Sequence, residues 1–75
     1  MKTSAQIEIE QINYDLILKL SNLTQQQKNI LLGNTNKYIA VKKSSVGFEA
    51  FFETIGRRDD CANTLKQILN ELQFA

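Results

Sequence analysis

Seventy-five residues, 43 % hydrophobic and 23 % charged, make a chain with the composition of one small folded domain, too short for two cores and too apolar for a disordered tail. Nine basic against eight acidic residues leave a formal net charge of +1, which excludes a protein that binds phosphate over its whole surface. With no histidine and a single cysteine, Cys61, the chain offers no internal disulfide, no Ser-His or Cys-His pair and no zinc ligand set, so neither an enzyme nor a metal or cofactor protein is expected.

Residues 1–75 read as a single mostly α domain of about four helices, with a short strand or hairpin near residues 37–43. The first element is an amphipathic helix over residues 3–21. Ile9, Ile12, Leu16, Leu20 and Leu23 share one face at 3.6-residue periodicity, and Thr3 with Gln6 fits a capping box. A competing reading makes a short strand of the alternation Gln6-Ile7-Glu8-Ile9-Glu10. On the helical wheel Ile7, Tyr14 and Leu18 form a second apolar strip opposite the first, which marks them as contacts to another protein or to a second copy of the chain.

The second element is a short helix over residues 24–33. Thr24 and Gln27 stand at capping-box spacing, Ile30, Leu31 and Leu32 supply the apolar residues, and Gly33 ends it. Asn34-Thr35-Asn36 supplies turn chemistry. Tyr38-Ile39-Ala40-Val41, flanked by lysines, reads as an edge or surface strand.

A third helix is expected over residues 48–55, where Phe48, Phe51, Phe52 and Ile55 recur at i, i+3, i+4 and i+7, with Ser44 or Ser45 as cap and Gly56 as terminator. The last helix is capped by Asp59 or Asp60 and packs a stripe of Cys61, Leu65, Ile68, Leu69 and Leu72. The two aromatic and aliphatic faces together are the expected core. Cys61 reads as a small core residue rather than a reactive thiol. Glu49 and Glu53, one helical turn apart, read as a solvated face rather than an ion-binding or acid–base pair.

Charge is unevenly spread. Residues 24–58 carry Lys28, Lys37, Lys42, Lys43, Arg57 and Arg58 against two acids, whereas the flanking segments are net acidic. Lys37, Lys42, Lys43, Arg57 and Arg58 are therefore the candidate nucleic-acid contacts. A basic strand, an apolar helix, a Gly56-Arg57 turn and a second capped helix over residues 37–72 resemble the layout of ribbon-helix-helix DNA-binding proteins. Asn34-Thr35-Asn36-Lys37-Tyr38-Ile39-Ala40 is faintly similar to the second helix of LuxR-type helix-turn-helix domains. These resemblances imply a dimeric transcriptional regulator.

Glu8 and Glu10 precede any apolar run, and the longest aliphatic stretch, Leu16-Ile17-Leu18, is far short of the about 20 residues that span a bilayer. The sequence thus predicts a cytoplasmic, non-enzymatic interaction or regulatory protein that self-associates, with a small DNA-binding regulator as the alternative.

Overall fold

The computed structural model describes residues 5–74. Its elements are β1 (Gln6–Ile12), β2 (Asp15–Ser21), α1 (Gln25–Gly33), β3 (Tyr38–Lys43), β4 (Phe48–Phe52) and α2 (Ile55–Phe74). The strands form one antiparallel sheet in the order β1-β2-β4-β3. The fold is therefore α+β, with two helices, and not the mostly α arrangement of four helices expected from the sequence.

Residues 6–21, expected as one helix, form a hairpin. The misleading signal is a spacing of four, which places Leu16 and Leu20 on one side of a helix and equally on one side of a strand, while Ile12 belongs to the other strand and the opposite face. What decides in favour of strands is the set at spacing two: Ile7 and Ile9, then Leu16, Leu18 and Leu20. Between them Asn13 takes φ 57, a left-handed conformation that asparagine tolerates. Ile12 then pairs with Asp15 across a two-residue turn. Thr3, read as the helix cap, lies outside the described residues.

The Phe48 to Ile55 helix is likewise replaced, by β4 and a turn. Phe48, Ala50 and Phe52 alternate into the core with relative exposures of 3 % or less, and three phenylalanines in five residues suit a strand better than a helix. Gly56, expected to end that helix, is the second residue of α2 instead. The cap of α2 is Thr54, whose hydroxyl accepts from the backbone N–H of Arg57 at 3.2 Å, so Asp59 and Asp60 lie inside the helix.

Two elements form where their local chemistry places them. Thr24 Oγ1 accepts from the N–H of Gln27 at 3.1 Å, and Gln27 Oε1 accepts from the N–H of Thr24 at 3.0 Å, a complete capping box at the start of α1. The end of α1 is closed not by Gly33, which is its last residue and has no positive φ, but by Asn34 as cap and by side chains. Asn34 Nδ2 donates to the Ile30 carbonyl at 2.7 Å and the buried Thr35 hydroxyl to that of Leu31 at 2.8 Å. Residues 38–43 form an edge strand as expected, paired with β4.

Both helices contribute to one core against one face of the sheet. Leu18 and Leu20 of β2, Phe48, Ala50 and Phe52 of β4, Leu23, Leu31 of α1, and Cys61, Ala62, Leu65 and Leu69 of α2 form a single buried cluster. Of the core expected from the sequence, Phe51, Ile68 and Leu72 are half-buried and Ile55 is exposed. The turn between β3 and β4 lies directly against the end of β2, and just beyond that end Leu23 N donates to the Val46 carbonyl at 2.8 Å. A Cβ on Gly47 would sit 1.9 Å from the Leu20 carbonyl oxygen, so only glycine permits this approach.

Candidate functional site

Directly opposed residues of antiparallel strands point to the same face, so the register assigns every strand side chain to one of two surfaces. Leu16, Leu18 and Leu20 face the helices. Ile17 and Lys19 therefore face away from them, onto a surface that no helix covers among the described residues.

The register carries this open face across all four strands. Glu8 pairs with Lys19, Lys19 with Glu49, and Glu49 with Lys42. The result is a row Glu8, Lys19, Glu49, Lys42 that runs from one sheet edge to the other with strictly alternating charge. The next row is Glu10, Ile17, Phe51 and Ala40. Its centre is apolar, with Ile17 only 3 % exposed although it stands outside the core cluster, and Phe51 half-buried beside it. A register shift between Tyr38 and Ala40 inserts Ile39, 65 % exposed, at the edge. The ion pairs among the described residues, Arg57–Glu53 and Arg58–Asp59, use no member of the charged row.

The two edge strands differ in what they offer. On β1, Arg58 Nη1 donates to the Glu10 carbonyl at 3.1 Å, which ties α2 to this strand. On β3, Lys42, Lys43 and the bulge disfavour a further strand.

No protein-family model matches the chain, and comparison with curated proteins and with solved structures finds no match. The open face must therefore be read from its own chemistry.

The structure distributes the residues singled out in the sequence. Leu18 is fully buried in the core, Ile7 packs partly against the same core, and Tyr14 is 97 % exposed at the tip of the first hairpin. They share no surface strip, because the strip is a product of helical spacing. Of the basic set, Arg58 is 9 % exposed and hydrogen-bonded to Glu10 and Asp59, and Arg57 lies 3.6 Å from the Glu53 carboxylate. Lys37, Lys42 and Lys43 are exposed along the β3 edge, and Lys28 donates to the Ser44 carbonyl. The strand-helix-helix order of ribbon-helix-helix proteins is not present over residues 37–72, since a second strand stands where the first helix belongs.

The residues weighed for catalysis or metal binding lie apart. Cys61 is buried in the core, and burial pushes its thiol above the ordinary value of 9.0, against a smaller opposing effect of a backbone hydrogen bond at Asn36. Glu49 lies on the open face and Glu53 beyond the end of β4, and no group of three or more acidic or cysteine side chains converges as metal ligands among the described residues. One concavity is lined by Ile7, Lys66, Leu69 and Asn70, another by Thr24, Gln26, Gln27 and Leu72. Neither holds a nucleophile beside a base. No helix among the described residues is long and apolar enough to cross a membrane.

Sequence periodicity does not group the four residues of the charged row. A signal for them exists, in that Glu8 and Glu10 alternate with Ile7 and Ile9, and Lys19 interrupts an otherwise aliphatic strand. Which charges meet depends on strand order and register, and neither is local.

Proposed function

We propose that the protein is a non-enzymatic interaction module that works through protein–protein contact on the open face of its sheet. The observation that carries this reading is the asymmetry of the sheet: the two helices pack on one face, and the other has an apolar centre, half-buried Phe51 against the already covered Ile17, beside a row of charges that sum to zero. A surface of balanced charge around an apolar centre suits another protein. It has no net attraction for a polyanion.

The alternative, DNA binding, rests on five cations. Two of these, Arg57 and Arg58, are engaged by Glu53, Asp59 and the Glu10 carbonyl, which leaves three lysines on one edge. Fluorescence anisotropy against labelled duplex DNA across a salt series tests the choice. Negligible affinity at physiological salt is the expected result. Tight binding whose affinity falls with salt, and which Lys42→Ala with Lys43→Ala abolishes, would replace this reading with the DNA-binding one.

A further inference from the structure

The row Glu8, Lys19, Glu49, Lys42 has an even number of members and alternates in sign, and such a row is complementary to its own rotated copy. A two-fold axis parallel to the strands, passing between β2 and β4, exchanges the outer strands β1 and β3 and the inner strands β2 and β4. Glu8 then meets Lys42 of the second copy, and Lys19 meets Glu49. Symmetry repeats each contact, giving four opposite-charge pairs and no like-charge pair. The same rotation sets Ile17 on Phe51 of the second copy. An axis along the row instead would bring Glu8 onto Glu8 and Lys19 onto Lys19, so the charge pattern selects one orientation of the two available face-to-face arrangements.

We infer that the open face binds a second copy of this chain, sheet against sheet, about a two-fold axis parallel to the strands between β2 and β4. This deepens the protein-contact reading above and rests on it. Three observations converge. The charges of the row are not used in ion pairs among the described residues, the apolar pair lies next to the axis, and the lysines and bulge of β3 turn association from that edge toward the face. Sheets that pack face to face sit about 10 Å apart with strands within roughly 30° of alignment, a gap that lysine and glutamate side chains bridge. The inner pairs, Lys19 with Glu49 and Ile17 with Phe51, are least displaced by such a rotation and carry the specificity. Four strands about 4.8 Å apart make a face roughly 19 Å wide, at the small end for a specific interface, so the dimer is weak and reversible, with a dissociation constant in the micromolar range on the order of 10 μM.

The test is a charge-exchange series followed by sedimentation equilibrium, with circular dichroism to establish that each variant is folded. Lys19→Glu alone sets the introduced carboxylate against Glu49 of the second copy, and Glu49→Lys alone sets the introduced ammonium against Lys19 of the second copy. Each single variant is expected to raise the dissociation constant at least about tenfold. An equimolar mixture of the two restores dimers. The carboxylate introduced at position 19 of one variant meets the ammonium introduced at position 49 of the other, while the unaltered Glu49 of the first meets the unaltered Lys19 of the second. The double variant, Lys19→Glu with Glu49→Lys, dimerises by itself. Three results overturn the proposal. A wild-type chain that is monomeric at 1 mM, on the order of a hundred times the expected constant, removes the second copy as occupant. Dimers that persist unchanged in both single variants place self-association on another surface. Single variants that fail to complement each other rule out this axis. None of these three removes the protein-contact reading, which fails separately, on tight and lysine-dependent binding of duplex DNA.

Discussion

The two faces of the sheet are made by the same four strands, and often by adjacent residues, yet they are put together on different terms. Toward the helices, Leu18, Leu20, Phe48, Ala50 and Phe52 are each 3 % exposed or less and belong to one continuous core with Leu31, Leu65 and Leu69. Away from them, the same strands present Glu8, Lys19, Glu49 and Lys42 in register, with Ile17 and Phe51 as an apolar centre. The first face holds the domain together through burial, which is indifferent to direction and intolerant of charge. The second is organised by the sign and position of charges, which contribute little to the stability of a monomer and much to the choice of partner. On the proposed reading, stability and recognition occupy opposite sides of a single layer.

The sharpest way to break this division is to place a charge on the wrong side. Leu18→Asp buries a carboxylate with no partner in the centre of the core, a cost larger than the about 5 kcal/mol that stabilises a small domain. The chain should lose its folded circular dichroism spectrum altogether, and retention of a cooperative melt would show that Leu18 is not in the core. Gly47→Ala comes next. Its methyl group meets the Leu20 carbonyl, so β2 and the β3–β4 turn must separate, and a loss of several kcal/mol in urea denaturation is expected, on the order of the larger single-residue effects known.

Cys61 reports the same core chemically. Its thiol is raised by burial, so at pH 8 it should react with a thiol reagent far more slowly in the native protein than in denaturant. Because the folded state holds this proton more tightly than the unfolded one, the contribution to stability is full below the ordinary thiol value and is lost as pH rises through the raised one. A native reaction as fast as the denatured one would place Cys61 at the surface. Smaller still is the α1 cap. Thr24→Ala removes the acceptor for the Gln27 N–H and should cost about 1 kcal/mol. At the bottom of the scale, Lys19→Glu places like charges in register with Glu8 and Glu49, costing the dilute monomer on the order of 0.5 kcal/mol while its association collapses.

What can be read from the sequence follows the reach of the physics involved. The α1 capping box needs only residues three apart, and it forms between Thr24 and Gln27 where the side chains allow it. The β3 strand is legible in Tyr38-Ile39-Ala40-Val41 because β-branched and aromatic residues leave few alternatives. Cys61, Leu65 and Leu69 lie on the buried stripe of α2 as helical periodicity predicts. The failures occur where two periodicities coincide. Leu16 and Leu20 at spacing four satisfy helix and strand equally, and Phe48, Phe51, Phe52 and Ile55 match a helical template although Phe48, Ala50 and Phe52 alternate at the same time. With the first of these read as helix, Ile7, Tyr14 and Leu18 become a strip that exists on no surface, and the charged row stays invisible because it spans four strands that are distant in sequence.

Phe51 and Phe52 put the central claim in its simplest form, since they are adjacent, identical and assigned to opposite faces. Urea denaturation of Phe51→Ala and Phe52→Ala at a concentration well below the expected dissociation constant, paired with sedimentation of the folded variant, measures both stability and the proposed association at once. The account predicts that Phe52→Ala loses about 3 to 5 kcal/mol, on the order of the whole stability of the domain. Phe51→Ala should lose about 1 kcal/mol, remain folded and self-associate measurably less than the wild type. Equal losses of stability at the two positions, or a folded Phe51→Ala that associates as the wild type does, would contradict it.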